Sequence, residues 1–109
     1  MVANPPVDAG ALYADLAQTQ RNIAACADRR AQLMQSVIAA EHALETIDNA
    51  TTAGSPLLEG RYYSSTQAAV TAIEVLLSTL RTEVRSQEAE RARQHDVAQG
   101  IRRTLALAG

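Results

Sequence analysis

The chain has no Phe, no Trp and one cysteine, and Lys occurs nowhere in it. Each absence closes something off. A single thiol, Cys26, excludes a disulfide within the chain and is compatible with a reducing compartment. With three Tyr as the only aromatic residues, the chain lacks the stacking platforms that single-stranded nucleic-acid binders use. All fixed positive charge is Arg, and the formal net charge is −2. No general attraction to nucleic acid or to an anionic membrane follows from that balance. Apolar runs such as Val75-Leu76-Leu77 are far too short to span a bilayer. Residues 1–10 carry neither the basic segment nor the apolar segment of a cleaved signal peptide. The expected location is therefore the cytoplasm or an assembled particle. No Gly-rich phosphate loop, Walker-type sequence or nucleophile elbow is present.

Hydrophobic residues make up 47% of the chain, but a large share of them are Ala. Ala favours helix and adds little apolar area when buried. The packing atoms come from Leu, Ile, Val and Met, and these fall on stripes. Gly and Pro cluster at Asn4-Pro5-Pro6, Gly10, Gly54-Ser55-Pro56 and Gly60, then at Gly100 and Gly109. The intervening stretches hold Ala, Leu, Arg, Glu and Gln without strand-like alternation. The predicted fold is all-α, with two long antiparallel helices forming a coiled-coil-like helical hairpin in one domain over residues 1–109. Residues 1–7 form a tail, 8–49 the first helix, 50–63 the turn and 64–107 the second helix. Asp8 is the expected N-cap of the first helix, with a start at Pro5 capped by Asn4 as the alternative. Ser64 with Gln67 fits a capping box for the second. Leu57 and Leu58 are expected to tuck over the helix ends, with Tyr62 and Tyr63 as a staple beside them. Gly100 is a weak point, and a break of the first helix near Thr19–Asn22 or Asp28–Arg30 is the architectural alternative.

The first helix carries an unbroken alternation of four- and three-residue steps through Leu12, Leu16, Thr19, Ile23, Cys26, Arg30, Leu33, Val37, Ala40, Leu44 and Ile47. This is a heptad seam with polar flaws at Thr19 and Arg30. Tyr13, Ala27 and Met34 widen it, and Ala17, Ala24, Ala31 and Ile38 widen it further. One neighbouring helix cannot cover an arc that broad. The second helix starts with a matching stripe of Tyr63, Val70, Ile73, Leu77, Leu80 and Val84. From Arg85 to Asp96 it is then polar on every face, with Gln87, Arg91 and Gln94 at seam positions, before Val97, Ala98, Ile101, Leu105 and Leu107. Folded back on itself, the chain sets apolar Leu12–Cys26 against polar Arg85–Gln94. Ordering a residue requires roughly 60 Å² of apolar burial to balance, more than a single Ala-rich seam supplies. Self-association into a four-helix or larger bundle, or docking into an assembly, is expected through Leu12, Leu16, Ile23, Ala24, Ala27, Ala31, Met34 and Ile38.

Candidate chemistry is sparse. Cys26 lies on the seam with no His within a helical turn, so it reads as a small core residue. His42 stands beside Glu41 and Glu45, but bundle di-iron sites place the carboxylate before the histidine and repeat the pair on another helix. His95 reads as a solvated side chain. No two titratable groups are placed for acid–base work in a dry pocket. No catalytic residue, metal ligand, cofactor or small-molecule substrate is expected, and the chain is expected not to be an enzyme. Arg81, Arg85, Arg91, Arg93, Arg102 and Arg103 alternate with Glu83, Glu88, Glu90 and Asp96, which blunts any positive field. The partners expected are proteins, with no nucleic acid or membrane.

Two functions fit these features best, ahead of a weaker third, a four-helix-bundle metalloprotein. One is a non-enzymatic structural or interaction protein, a hairpin packing as a homo-oligomer or as a component of an assembly such as a virion or secretion apparatus. The other is a small adaptor or inhibitor that engages one target through 85–96, with Gln87, Arg91 and Gln94 setting specificity. In length and mid-chain turn the chain resembles the small helical-hairpin substrates of type VII secretion, with Leu58-Glu59-Gly60 where that family has Trp-x-Gly. Trp is absent and no Tyr follows the second helix to supply the family's C-terminal signal. The resemblance is one of shape and implies a helical hairpin only.

Overall fold

The structure is a computed structural model, and it describes residues 8–52 and 61–108. Among these residues there is no strand. Two α-helices account for them: α1 spans Ala9–Thr52 and α2 spans Arg61–Ala108. At about 1.5 Å per residue, the 44 residues of α1 rise about 66 Å. The fold is all-α and built on two long helices, as the sequence predicts.

The helix starts and stops refine the expected boundaries. Asp8 caps α1: its Oδ1 accepts the Ala11 backbone N–H at 3.0 Å, satisfying one of the donors that a first turn leaves open. At the other end α1 runs on through Ala50 and Thr51 to Thr52, past the expected stop at Asn49. Thr52 Oγ1 donates to the Asp48 carbonyl at 3.0 Å, so its hydroxyl bonds within the helix. The second helix begins at Arg61, which places Ser64 and Gln67 inside it and not at its cap. It continues unbroken through Gly100. Nor does α1 break at Thr19–Asn22 or at Asp28–Arg30, since no Gly or Pro interrupts its ladder there. The expected roles of Leu57 and Leu58, and of the Tyr62 side chain, lie outside the described residues.

The contacts gather into two compact units: 1–29 with 87–109, and 30–86. Unit 30–86 holds the apolar core. Val37 (3% exposed), Ala40 and Leu77 (4% exposed) are buried together, with Leu44, Ile73 and Leu80 packed against them. Leu33 and Val84 are buried as well. Later residues of α1 meet earlier residues of α2, so the helices run antiparallel here. A Glu41–Arg81 ion pair at 3.5 Å flanks this seam. Both side chains are more than half exposed, so the pair contributes little to stability.

Unit 1–29 with 87–109 is built differently. Its buried residues are Thr19, Cys26, Gln94 and Ala98, none of which has a large apolar side chain. Leu12, Leu16 and Ile23 are half-buried, as are Ile101 and Leu105. Thr19 Oγ1 donates to the Asp15 carbonyl at 2.8 Å, so this polar residue is satisfied by its own helix.

All eleven residues of the α1 seam are buried or half-buried. On α2 the seam holds from Val70 to Val84, but Tyr63 is exposed and Thr66 is buried in its stead. Thr66 lines the same groove as Thr51, in the last turn of α1. In the polar stretch Arg91 is exposed while Glu90 is half-buried, which shifts that seam position by one residue from the expected place.

Two substitutions test this description. Leu77→Ala should lower unfolding free energy by about 2–5 kcal/mol, the range for deleting a buried Leu side chain, in urea denaturation. A loss under about 1 kcal/mol would contradict its place in the core. At Gly100 an added Cβ meets nothing within 4 Å, so Gly100→Ala should raise stability by roughly 0.5–1 kcal/mol. A destabilised Gly100→Ala protein would mean that α2 is not a regular helix at this point.

Candidate interaction surfaces

Three features could carry function. The first is a polar relay inside unit 1–29 with 87–109. Starting on α1, Arg21 Nη2 donates to Gln18 Oε1 at 2.8 Å, and Gln18 Nε2 donates to Asn22 Oδ1 at 2.9 Å. Asn22 Nδ2 then crosses to α2 and donates to Gln94 Oε1 at 3.4 Å. Gln94 Nε2 donates to Glu90 Oε1 at 2.9 Å, and Arg93 Nε donates to Glu90 Oε2 at 2.9 Å. Every amide in the series spends its oxygen on the preceding side chain and its nitrogen on the next. The chain of donors thus runs from the Arg21 guanidinium to the Glu90 carboxylate.

The electrostatics follow from this arrangement. Hydrogen bonds from Arg93 and then Gln94 favour the ionised form of Glu90, lowering its pKa from 4.5 to about 2. The same carboxylate holds the Arg93 guanidinium above its ordinary value. Among the described residues no buried side-chain nitrogen or oxygen lacks a hydrogen-bond partner. Gln94 is therefore a buried polar group that is fully paired, which is what makes it tolerable at a seam position. Of the three expected specificity residues, Gln94 turns inward, Gln87 is half-buried and Arg91 is exposed. Asn22 and Glu90 complete the relay and were not singled out from sequence. Their signal was a polar residue next to the seam on each helix, which reads as solvated until the helices are paired.

The second feature is uncovered apolar surface. Tyr13 and Ile38 on α1 are each 62% exposed, and Val75, Leu76 and Val97 on α2 are exposed as well. Of the eight expected interface residues, Leu12, Leu16, Ile23, Ala27 and Met34 are half-buried and Ala24, Ala31 and Ile38 are exposed. None is buried against the chain itself.

The third is a half-open groove within unit 30–86, lined by Leu44, Ile47, Val70 and Thr66, with Asp48 and Glu74 among its polar residues. Among the described residues that line it there is no histidine, cysteine or cation. Cys26 is buried, while His42 and His95 are exposed. Among the described residues no three His, Cys, Asp or Glu side chains converge in a way that would hold a metal ion. Among them, too, no helix is long and apolar enough to cross a membrane.

The chain matches no protein-family profile, no curated protein and no solved structure.

Glu90 supplies the test of the relay. Its folded-state pKa is depressed, so its contribution to stability is present above the ordinary carboxylate value and is lost as pH falls toward about 2. An NMR titration should find the Glu90 carboxyl still ionised well below the ordinary 4.5, with a midpoint toward about 2. A midpoint at the ordinary 4.5 would show that Arg93 and Gln94 do not hold it.

Proposed function

We propose that the chain is a non-enzymatic structural or interaction protein, a helical hairpin that packs through α1 into a homo-oligomer or a larger assembly. The observation that carries this reading is the state of α1's apolar arc. Leu12, Leu16 and Ile23 stay half-buried, and Tyr13 and Ile38 are each 62% exposed. Large apolar side chains left in water beside a seam already in use are the mark of a surface that another helix covers. Components of virions and of secretion machines use such hairpins, and that parallel rests on architecture alone.

The packing supports the same conclusion. Among the described residues, the buried hydrophobic ones of unit 30–86 are Leu33, Val37, Ala40, Leu77 and Val84, and those of the other unit are Cys26 and Ala98. Cores this thin rarely hold a small domain without a further staple, and association is one of the usual ones.

Sedimentation equilibrium of the full chain tests this. Its mass should exceed the 11.6 kDa of one chain and rise with concentration in the micromolar range. A cooperatively folded 11.6 kDa species at every concentration would overturn the reading.

A further inference from the structure

We infer that α1 pairs with α1 of a second copy, antiparallel, about a twofold axis near Ala24. The inference rests on the proposed self-association and names the face and orientation that produce it. Arg21 and Asp28 are seven residues apart on α1 and therefore share one row along it. Both are exposed. Arg21 commits one guanidinium nitrogen to Gln18 at 2.8 Å and keeps other N–H donors. Asp28 makes no hydrogen bond or ion pair among the described residues.

Opposite charges one heptad apart on a single row are self-complementary. A second α1 laid antiparallel brings Arg21 against Asp28 of the second copy, and Asp28 against its Arg21. A parallel copy would set Arg21 on Arg21 and Asp28 on Asp28, so charge selects the antiparallel arrangement.

The surface beside this row suits the same operation. Ala24 is exposed and Ala27 half-buried, so small side chains lie near the axis and allow close approach of the two backbones. Outward from the axis, Tyr13 and Ala17 lie toward one end of the face and Ala31, Met34 and Ile38 toward the other. Antiparallel pairing places one copy's first group against the other copy's second, mixing large and small side chains. Helices pack best when such residues interdigitate. The exposed Gln20 is a polar residue on this face and tolerates partial solvent access.

Charge reversal in the full chain decides the matter, with sedimentation equilibrium at low salt as the readout and far-UV circular dichroism confirming helix content. Arg21→Asp and Asp28→Arg should each weaken self-association about tenfold, because each turns two attractive pairs into two repulsive ones. The double variant Arg21→Asp/Asp28→Arg should recover to within about threefold of the parent, since the pairs are then exchanged and not lost. If Arg21→Asp loses helix through its Gln18 bond, Asp28→Arg still carries the test. Single reversals without effect, or a double variant no better than either single, would overturn the twofold contact while leaving self-association through another face. A parent chain that never associates would overturn the proposed function and this inference together.

Discussion

An α-helix can shelter only the part of its circumference that a neighbour touches, and the apolar arc of α1 is wider than α2 can cover. Most of the other features follow from that mismatch. Leu33, Val37 and Ala40 are buried, Leu12, Leu16 and Ile23 are only half-buried, and Ile38 stands in solvent. Ala-rich composition sharpens the problem. It makes both helices easy to form, yet each buried Ala removes little apolar area from water. The chain therefore has strong local preferences and a thin core, a combination that leaves packing contacts to decide its stability.

The two units solve the pairing of α1 with α2 by different chemistry. In 30–86 the solution is apolar: Val37, Ala40 and Leu77, with Leu44, Ile73 and Leu80 around them. In the other unit a series of amides between Arg21 and Glu90 replaces apolar layers. Directional bonds of this kind add modest net stability, because water offers the same bonds to the unfolded chain. They penalise a slipped register heavily, since any shift strands buried polar groups. A uniform Ala and Leu seam would allow sliding by a heptad. Gln94, at a seam position and bonded to Asn22 beside the opposing seam, works against it, as polar seam residues do in coiled coils.

Much of the architecture was legible in the sequence. Every residue of the three-and-four spacing of α1 from Leu12 to Ile47 is buried or half-buried, because a long Gly- and Pro-free helix keeps its phase, while Asn22, off that spacing, also reaches α2. Asp8 was readable as a cap for the same local reason. Elements that depend on the partner helix were not. Ser64 and Gln67 form a plausible box in isolation, but α2 starts at Arg61, and Tyr63 is exposed while Thr66 is buried. The substitution of half-buried Glu90 for Arg91 likewise depends on where Asn22 and Arg93 reach. A polar segment such as Arg85–Asp96 shows no periodicity from which its inward face could be read.

The central claim is that part of the apolar arc of α1 is covered by another polypeptide, so that folding and association are linked. Thermal unfolding of the full chain at two concentrations a hundredfold apart measures this linkage directly, because association with the folded state raises its midpoint by mass action. The account predicts a higher midpoint at the higher concentration. A reversible transition with the same midpoint at both would contradict it.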